Sequence, residues 1–353
     1  MRVLIVDDSA FTRDILRSVL SSDPALEVVG AAADPLIARE MIKELNPDIL
    51  TLDVEMPHMD GLAFLEKIMT LRPMPVIMVS TLTQKGTLTT LRALELGAVD
   101  FVAKPNGDLK NGLEQLASEL IPKIKAAAQF KMRFVNRSNM PAAGPINTSG
   151  IKYASERMVI AIGASTGGVV ALRSVLSRLP ACSPPILVTQ HMPPKYTNSL
   201  AERLNQVCPA TVVEAENGQK VRPGHAYIAP GGRHLELKRS REGFICKVYE
   251  GDLVSGHCPS VDVLFNSFAD SAGNRAVGAI LTGMGRDGAT GLLQMRRTGA
   301  MTIGQNEASC VVYGMPKVAY EIGAVQSEMS IDLIAPAILK ACVQPANPRQ
   351  RVS

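Results

Sequence analysis

From residue 1 to about 125 the sequence alternates short apolar, β-branched runs with stretches whose apolar residues recur at helical spacing. This alternation restricts the fold more than any other feature of the chain. The runs lie at 3–6, 27–31, 49–52, 76–79 and 99–102, each bounded by polar or turn-forming residues. Between them, sets such as Ile15, Leu16, Val19 and Leu20, then Leu62, Leu65, Ile68 and Met69, give each intervening segment one apolar face. Strands that are apolar on both sides must be covered on both sides. Five βα units of this kind therefore predict a doubly wound parallel sheet with helices on each face.

At 353 residues the chain is long enough for about two cores, and the alternation indeed starts twice. From about 128 to 153 it dissolves into a stretch rich in Asn, Ser, Pro and Gly, which reads as a linker. A second βα series opens at Met158-Val159-Ile160-Ala161-Ile162 and continues with strands near 186–189, 211–214, 226–229, 276–281 and 300–303. Within it, 226–249 reads as hairpin-like, because Leu235-Glu236-Leu237 and Ile245-Cys246-Lys247-Val248 alternate beside Gly231-Gly232 and Gly243. The expected organisation is a first domain over 1–125, a linker over 126–153, and a second domain over 154–346. Both domains are α/β with doubly wound parallel sheets, the second with an antiparallel excursion.

Composition removes several function classes. A net charge of +4, spread over 37 basic and 33 acidic residues, leaves no basic run dense enough to follow a phosphate backbone. With 4% aromatic residues and no Trp there is little to stack on bases, so nucleic acid is not expected as a partner. No apolar stretch approaches the roughly 20 residues that span a bilayer, and Met1 leads directly into the first strand without a signal sequence. A cytoplasmic protein without membrane insertion is expected. The six cysteines lack metal-binding spacing and lie in the second half; neither disulfides nor zinc are expected.

Asp7 and Asp8 follow the first strand, Asp53 follows the third, and Ser80 and Lys104 end the fourth and fifth. All five therefore fall on the carboxyl edge of the sheet, where open α/β folds bind ligands. A single strand-end aspartate is commonly a helix cap, but three carboxylates crowded together repel unless a hard cation joins them, and oxygen ligation suits Mg²⁺. A hydroxyl and an ammonium beside them suit a phosphoryl group. Asp7-Asp8, Leu52-Asp53-Val54-Glu55-Met56-Pro57, Met59-Asp60-Gly61, Val79-Ser80 and Lys104-Pro105 together resemble a response-regulator receiver domain, which has a flavodoxin-like fold. The resemblance implies Asp53 as phosphoacceptor and Mg²⁺ held by Asp8, Asp53 and the Glu55 carbonyl, with Asp7 acting through water. It also implies Ser80 and Lys104 as sensors of the phosphoryl group and Phe101 as a switch aromatic.

In the second series, Gly163-Ala164-Ser165-Thr166-Gly167-Gly168 follows a buried strand and opens a helix, the context that G-x-S-x-G requires. A Walker loop would need Lys and Ser or Thr where Val169 and Val170 stand, and a dinucleotide fingerprint would need Gly at Ser165. A serine needs a base. His191 directly follows a strand and shares the carboxyl edge with Ser165. His225 precedes its strand, His234 lies in the hairpin region, His257 is in a long loop, and His58 is in the first domain. The glycine-rich turn Thr282-Gly283-Met284-Gly285-Arg286-Asp287-Gly288 supplies one acid, Asp287, to orient the imidazole. The order Ser, His, Asp differs from that of α/β-hydrolases and points to another scaffold.

These segments, with Gln190-His191-Met192, Ala229-Pro230-Gly231-Gly232 and Pro259-Ser260-Val261-Asp262, resemble the CheB family of chemotaxis protein-glutamate methylesterases over nearly the full chain. The resemblance implies Ser165 as nucleophile, His191 as base and Asp287 as its orienter, with oxyanion donors at Met284 and Thr166. Its implied substrates are glutamate methyl esters and some glutamines on methyl-accepting chemoreceptors. A chemotaxis histidine kinase would be the phosphodonor, with no cofactor in the ester step. Cys258 stands where a basic residue is expected, with His257 beside it as a stand-in. The alternative is a receiver joined to a non-catalytic, protein-binding output domain; a transcription factor is disfavoured because no helix-turn-helix pattern follows. Lys131-Met132-Arg133-Phe134 reads either as a tether or as plain solvated linker.

Overall fold

A computed structural model describes residues 1–56, 60–80, 83–104, 109–129 and 158–343. The chain divides into two compact units, Met1–Met140 and Pro141–Ser353. Most of the expected linker, including Lys131 to Phe134, and the expected start of the second domain at 154 lie outside the described residues.

The first unit runs β1 (Arg2–Val6), α1 (Ala10–Ser21), β2 (Glu27–Ala32), α2 (Pro35–Leu45), β3 (Ile49–Asp53), α3 (Gly61–Leu71), β4 (Val76–Ser80), α4 (Gln84–Leu96), β5 (Asp100–Ala103) and α5 (Leu109–Gln129). The strands form one sheet in the order β2-β1-β3-β4-β5, with every pairing parallel. Every residue of β3 and β4 is buried, which accounts for their mostly apolar sequences, the polar exceptions being Thr51, Asp53 and Ser80. Helix starts are set by side chains: Ser9 accepts from the Thr12 N–H, and Asp34 accepts from those of Leu36 and Ile37 ahead of Pro35. The α5 helix continues to Gln129, through the first four positions of the expected linker, because its buried stripe of Leu116, Leu120, Ile124 and Ala127 keeps helical spacing beyond 125.

The second unit runs β6 (Val159–Ala164), α6 (Gly168–Leu176), β7 (Ile186–Gln190), α7 (Tyr196–Val207), β8 (Thr211–Glu214), β9 (His225–Ile228), β10 (His234–Ser240), β11 (Gly243–Tyr249), α8 (Val261–Ser271), β12 (Ala276–Ile280), α9 (Ala289–Arg297), β13 (Met301–Gln305), α10 (Met315–Glu321), β14 (Ser327–Met329) and α11 (Ile331–Cys342). Seven strands form a parallel sheet in the order β14-β13-β12-β6-β7-β9-β8. The hairpin-like stretch divides in two: β9 joins the parallel sheet, and only β10 and β11 pair antiparallel, in a sheet of their own. The edge strand β14 has the sequence Ser-Glu-Met, which is too short and polar to announce itself.

The hairpin is not an ornament. Its inner face, Leu235, Leu237, Cys246 and Val248, packs in one buried cluster with Leu264, Phe265 and Phe268 of α8. Burying each such side chain stabilises the fold by about 1.5–3 kcal/mol. The Leu237 N–H donates to Ser267 Oγ at 2.9 Å, and Ser271 Oγ donates back to the Leu237 carbonyl at 2.9 Å. Helix α8 is thereby pinned from its outer side.

Candidate functional site

The strand order reverses between β1 and β3 in the first unit and between β6 and β12 in the second, and each sheet places its polar cluster at that point.

In the first unit, Asp7 and Asp53 are buried and Asp8 is exposed, and their carboxylates offer oxygens within 4.8 Å of one another. Gly61 makes room for the β3 terminus, since a Cβ there would lie 2.1 Å from the Asp53 carbonyl oxygen. Lys104 Nζ stands 2.9 Å from Asp7 Oδ2 and 2.8 Å from Asp53 Oδ2. Burial nevertheless pushes the Asp53 carboxyl up to about 6, against the pull of Lys104. Burial disfavours the Lys104 charge as well, but the two carboxylates outweigh it and hold the ammonium above the ordinary lysine value. Ser80 is fully buried at the end of β4, and its hydroxyl accepts from Thr90 Oγ1 at 2.8 Å. Phe101 is also buried, with Lys123 Nζ 5.4 Å from its ring centroid. Glu55 follows the strand, and its N–H reaches Asp53 Oδ1 at 3.4 Å. The oxygen-only donor set of three clustered carboxylates fits Mg²⁺.

In the second unit the three expected residues follow three adjacent strands. Ala164 pairs with Gln190 in the parallel register, so Ser165 and His191 both lie one residue beyond paired strand ends. The Ser165 N–H donates to the Thr282 carbonyl at 3.0 Å, and the His191 N–H to that of Ala164 at 3.1 Å. His191 Nε2 lies 2.7 Å from Asp287 Oδ2. Its Nδ1 is buried without a hydrogen-bond partner. An ionised carboxylate only accepts, so the proton of the neutral ring resides on Nε2 and Nδ1 presents its lone pair.

Asp287 is 1% exposed and would not stay charged there without donors. It has four. Oδ2 accepts from His191 and from the Val261 N–H at 2.7 Å, while Oδ1 accepts from Ser260 Oγ at 2.8 Å and the Asp262 N–H at 3.0 Å. Burial would raise this carboxyl, but His191 and the backbone N–H groups of Asp262 and Val261 outweigh burial and hold it below the usual carboxylate value. Three of the donors are the N-cap and first turn of α8, whose dipole adds to the effect. Burial and the nearby Asp287 charge raise the neighbouring Asp262 carboxyl instead.

The segment before α8 turns back over this cluster. Val254 and His257 exchange backbone hydrogen bonds at 3.0 Å around Ser255 and Gly256, both with positive φ, 53° and 81°. The turn seats the His257 ring flat on His191, with centroids 3.7 Å apart and planes 8° from parallel. His257, expected to stand in for a basic residue in a surface or substrate contact, lies against the base candidate. His191, His257 and Asp287 offer ligand atoms within 4.8 Å, yet parallel stacked rings direct their lone pairs side by side rather than at one point. The sequence signals for α8 were present in Pro259-Ser260-Val261-Asp262, where a serine caps a helix. Nothing in sequence linked that cap to a carboxylate more than twenty residues away.

The CheB methylesterase family profile matches residues 160–338 and the response regulator receiver domain profile residues 3–115. The chain belongs to the CheB methylesterase family. It is 53% identical over 339 residues to a protein-glutamate methylesterase/protein-glutamine glutaminase of Yersinia pestis, covering 96% of each chain. It is 51% identical over 350 residues to one from Xanthomonas campestris, covering 98% of each. The crystal structure of the Thermotoga maritima CheB methylesterase catalytic domain resembles it with a TM-score of 0.51 and 37% identity, over 52% of this chain and 97% of that one. Among the described residues no helix is long and apolar enough to cross a membrane.

Proposed function

We propose that this member of the CheB family is a phosphorylation-activated serine hydrolase that demethylates glutamate methyl esters, and deamidates glutamines, on chemoreceptors. The observation that carries the reading is the His191 ring: one nitrogen is bonded to a buried, four-fold-donated carboxylate, and the other is unpartnered at the edge where Ser165 stands. A non-catalytic binding cleft has no use for such an arrangement, and the full-length relatives carry names of enzymes.

In the proposed reaction Ser165 Oγ bonds to the ester carbonyl carbon while its proton passes to His191 Nδ1, and Asp287 stabilises the imidazolium from behind. The carbonyl oxygen takes up negative charge facing the backbone N–H groups of Met284 and Thr166. Collapse breaks the bond to the methoxy oxygen, which leaves as methanol with the proton from His191; an amide substrate loses ammonia in the same way. Water, deprotonated by His191, then cleaves the acyl-serine and frees the glutamate. No metal enters this sequence.

Phosphorylation by a chemotaxis histidine kinase would fall on Asp53, with Asp8, Asp53 and the Glu55 carbonyl holding Mg²⁺, which offsets the charge of the incoming phosphoryl group. Lys104 and Ser80 would contact the phosphoryl oxygens, Asp7 would act through water, and Phe101 would report the change. The unphosphorylated receiver is proposed to hold the hydrolase at low activity. The test is methanol release from methylated receptor by wild type, Ser165→Ala and Asp53→Ala, each with and without a small phosphodonor and Mg²⁺. Release that needs Ser165, and that the phosphodonor raises only when Asp53 is present, supports the joint reading. Release by Ser165→Ala at the wild-type rate would end it.

A further inference from the structure

In a trans peptide the carbonyl and the following N–H point in opposite directions, so whatever grips the carbonyl aims the N–H. Both expected oxyanion donors sit in peptide units gripped this way. The Gly283 carbonyl, whose unit carries the Met284 N–H, accepts from Gly314 at 3.1 Å and Met315 at 2.8 Å. The Ser165 carbonyl, whose unit carries the Thr166 N–H, accepts from the Gly168 N–H at 2.7 Å and from Gln190 Nε2 at 2.9 Å. The same Gln190 nitrogen also donates to the His191 carbonyl at 3.1 Å. One carboxamide therefore bridges the backbones of nucleophile and base.

Gln190 is 3% exposed, and its Oε1 is buried without a hydrogen-bond partner. An apolar side chain of the same shape would avoid that unsatisfied acceptor, so packing alone does not explain the amide. Its place is also reserved: a Cβ on Gly168 would lie 2.0 Å from Gln190 Oε1, so only glycine at the start of α6 admits it. We infer that Gln190 is a positioning residue of the esterase, holding the Ser165–Thr166 peptide plane so that its N–H faces the developing oxyanion while keeping His191 in register. A carbonyl that accepts two hydrogen bonds polarises its peptide, which strengthens the opposite N–H as a donor. The inference rests on the proposed roles of Thr166 and Met284.

The test uses the full-length, phosphodonor-treated protein with Gln190→Met, which keeps length and burial, and Gln190→Glu, which keeps shape but only accepts when ionised. Three quantities are compared with wild type: kcat and KM on methylated receptor, the affinity of a trifluoromethyl ketone analogue of the glutamate ester, and the melting temperature. The ketone forms a serine adduct that carries the oxyanion. Expected in both variants is a fall in kcat of about 10²-fold with KM unchanged, and a loss of ketone affinity by the same factor as kcat/KM. Wild-type kcat in Gln190→Met overturns the inference. So does a rate loss that leaves ketone affinity intact or that lies wholly in KM, since the amide would then serve packing or substrate binding. If wild type itself binds the ketone no more tightly than the product glutamate, the oxyanion reading beneath the inference is what fails.

Discussion

Ser260→Ala removes one of the four donors on Asp287 and leaves the other three in place. A hydrogen bond to a charged group contributes about 1.5–3 kcal/mol, and losing the hydroxyl that caps α8 costs up to about 1 kcal/mol more. The second unit should therefore lose about 1.5–4 kcal/mol and melt about 3–16 °C lower. The loss carries a pH signature. Asp287 is held below its ordinary value in the folded protein, so its ionised form stabilises the fold fully above the unfolded carboxyl value of about 3.9. That contribution disappears as pH falls through the lower folded value. The gap between wild type and Ser260→Ala should be full at pH 7 and shrink below about pH 4. A looser Asp287 also restrains His191 less, and a cost of about 1.4 kcal/mol at the imidazolium corresponds to a tenfold fall in kcat. Denaturant melts from pH 3 to 8, with methanol release at pH 7, measure both effects, and Ser260→Thr should behave as wild type. An equal stability gap at pH 3 and pH 7 would refute the role of this hydroxyl as a carboxylate donor.

Three further outcomes are expected. Asp287→Asn places an amide N–H₂ among N–H donors and removes the charge behind the imidazolium, so kcat should fall about 10⁴-fold while the melting curve shows a folded protein; a loss under tenfold contradicts the role given to Asp287. His257→Phe keeps a ring on His191 and should retain activity, whereas His257→Ala should lose about 2–13-fold in kcat, the equivalent of about 0.5–1.5 kcal/mol for a stacked pair; equal rates in the two variants would remove the stack from the mechanism. Because burial raises Asp53 to about 6, Mg²⁺ binding should release a proton below that pH, with affinity dropping about tenfold per pH unit. The folded receiver then binds more protons than the unfolded chain between about pH 4 and 6, so its stability falls as pH rises through that window. Asp53→Asn should accordingly melt higher than wild type at pH 7 but not at pH 4, and calorimetry in buffers of different ionisation enthalpy checks the proton release.

What could be read from sequence was whatever is local. Strand ends follow from apolar runs, so the residues at or just beyond them, Asp7, Asp8, Asp53, Ser165 and His191, were assignable to carboxyl edges from chain order alone. Asp287 was within reach because it is the one acid in a glycine-rich turn. What escaped was support assembled from distant segments. The cap of α8 meets Asp287 only because the hairpin pins that helix, and His257 meets His191 only through a turn with two positive φ angles. His257 looked remote as a loop residue, yet the loop folds back. β14 escaped for another reason: three residues at a sheet edge need no apolar alternation to pair.

Each reactive cluster is built from the edge of its own sheet, and all three strands that present Ser165, His191 and Asp287 belong to a single core. Signal reception and bond cleavage thus draw on separate stocks of residues. Substitutions that retune how long or how readily the chain responds need not touch those that set its turnover, and the reverse holds as well. A lineage can therefore adjust adaptation speed and sensitivity one at a time.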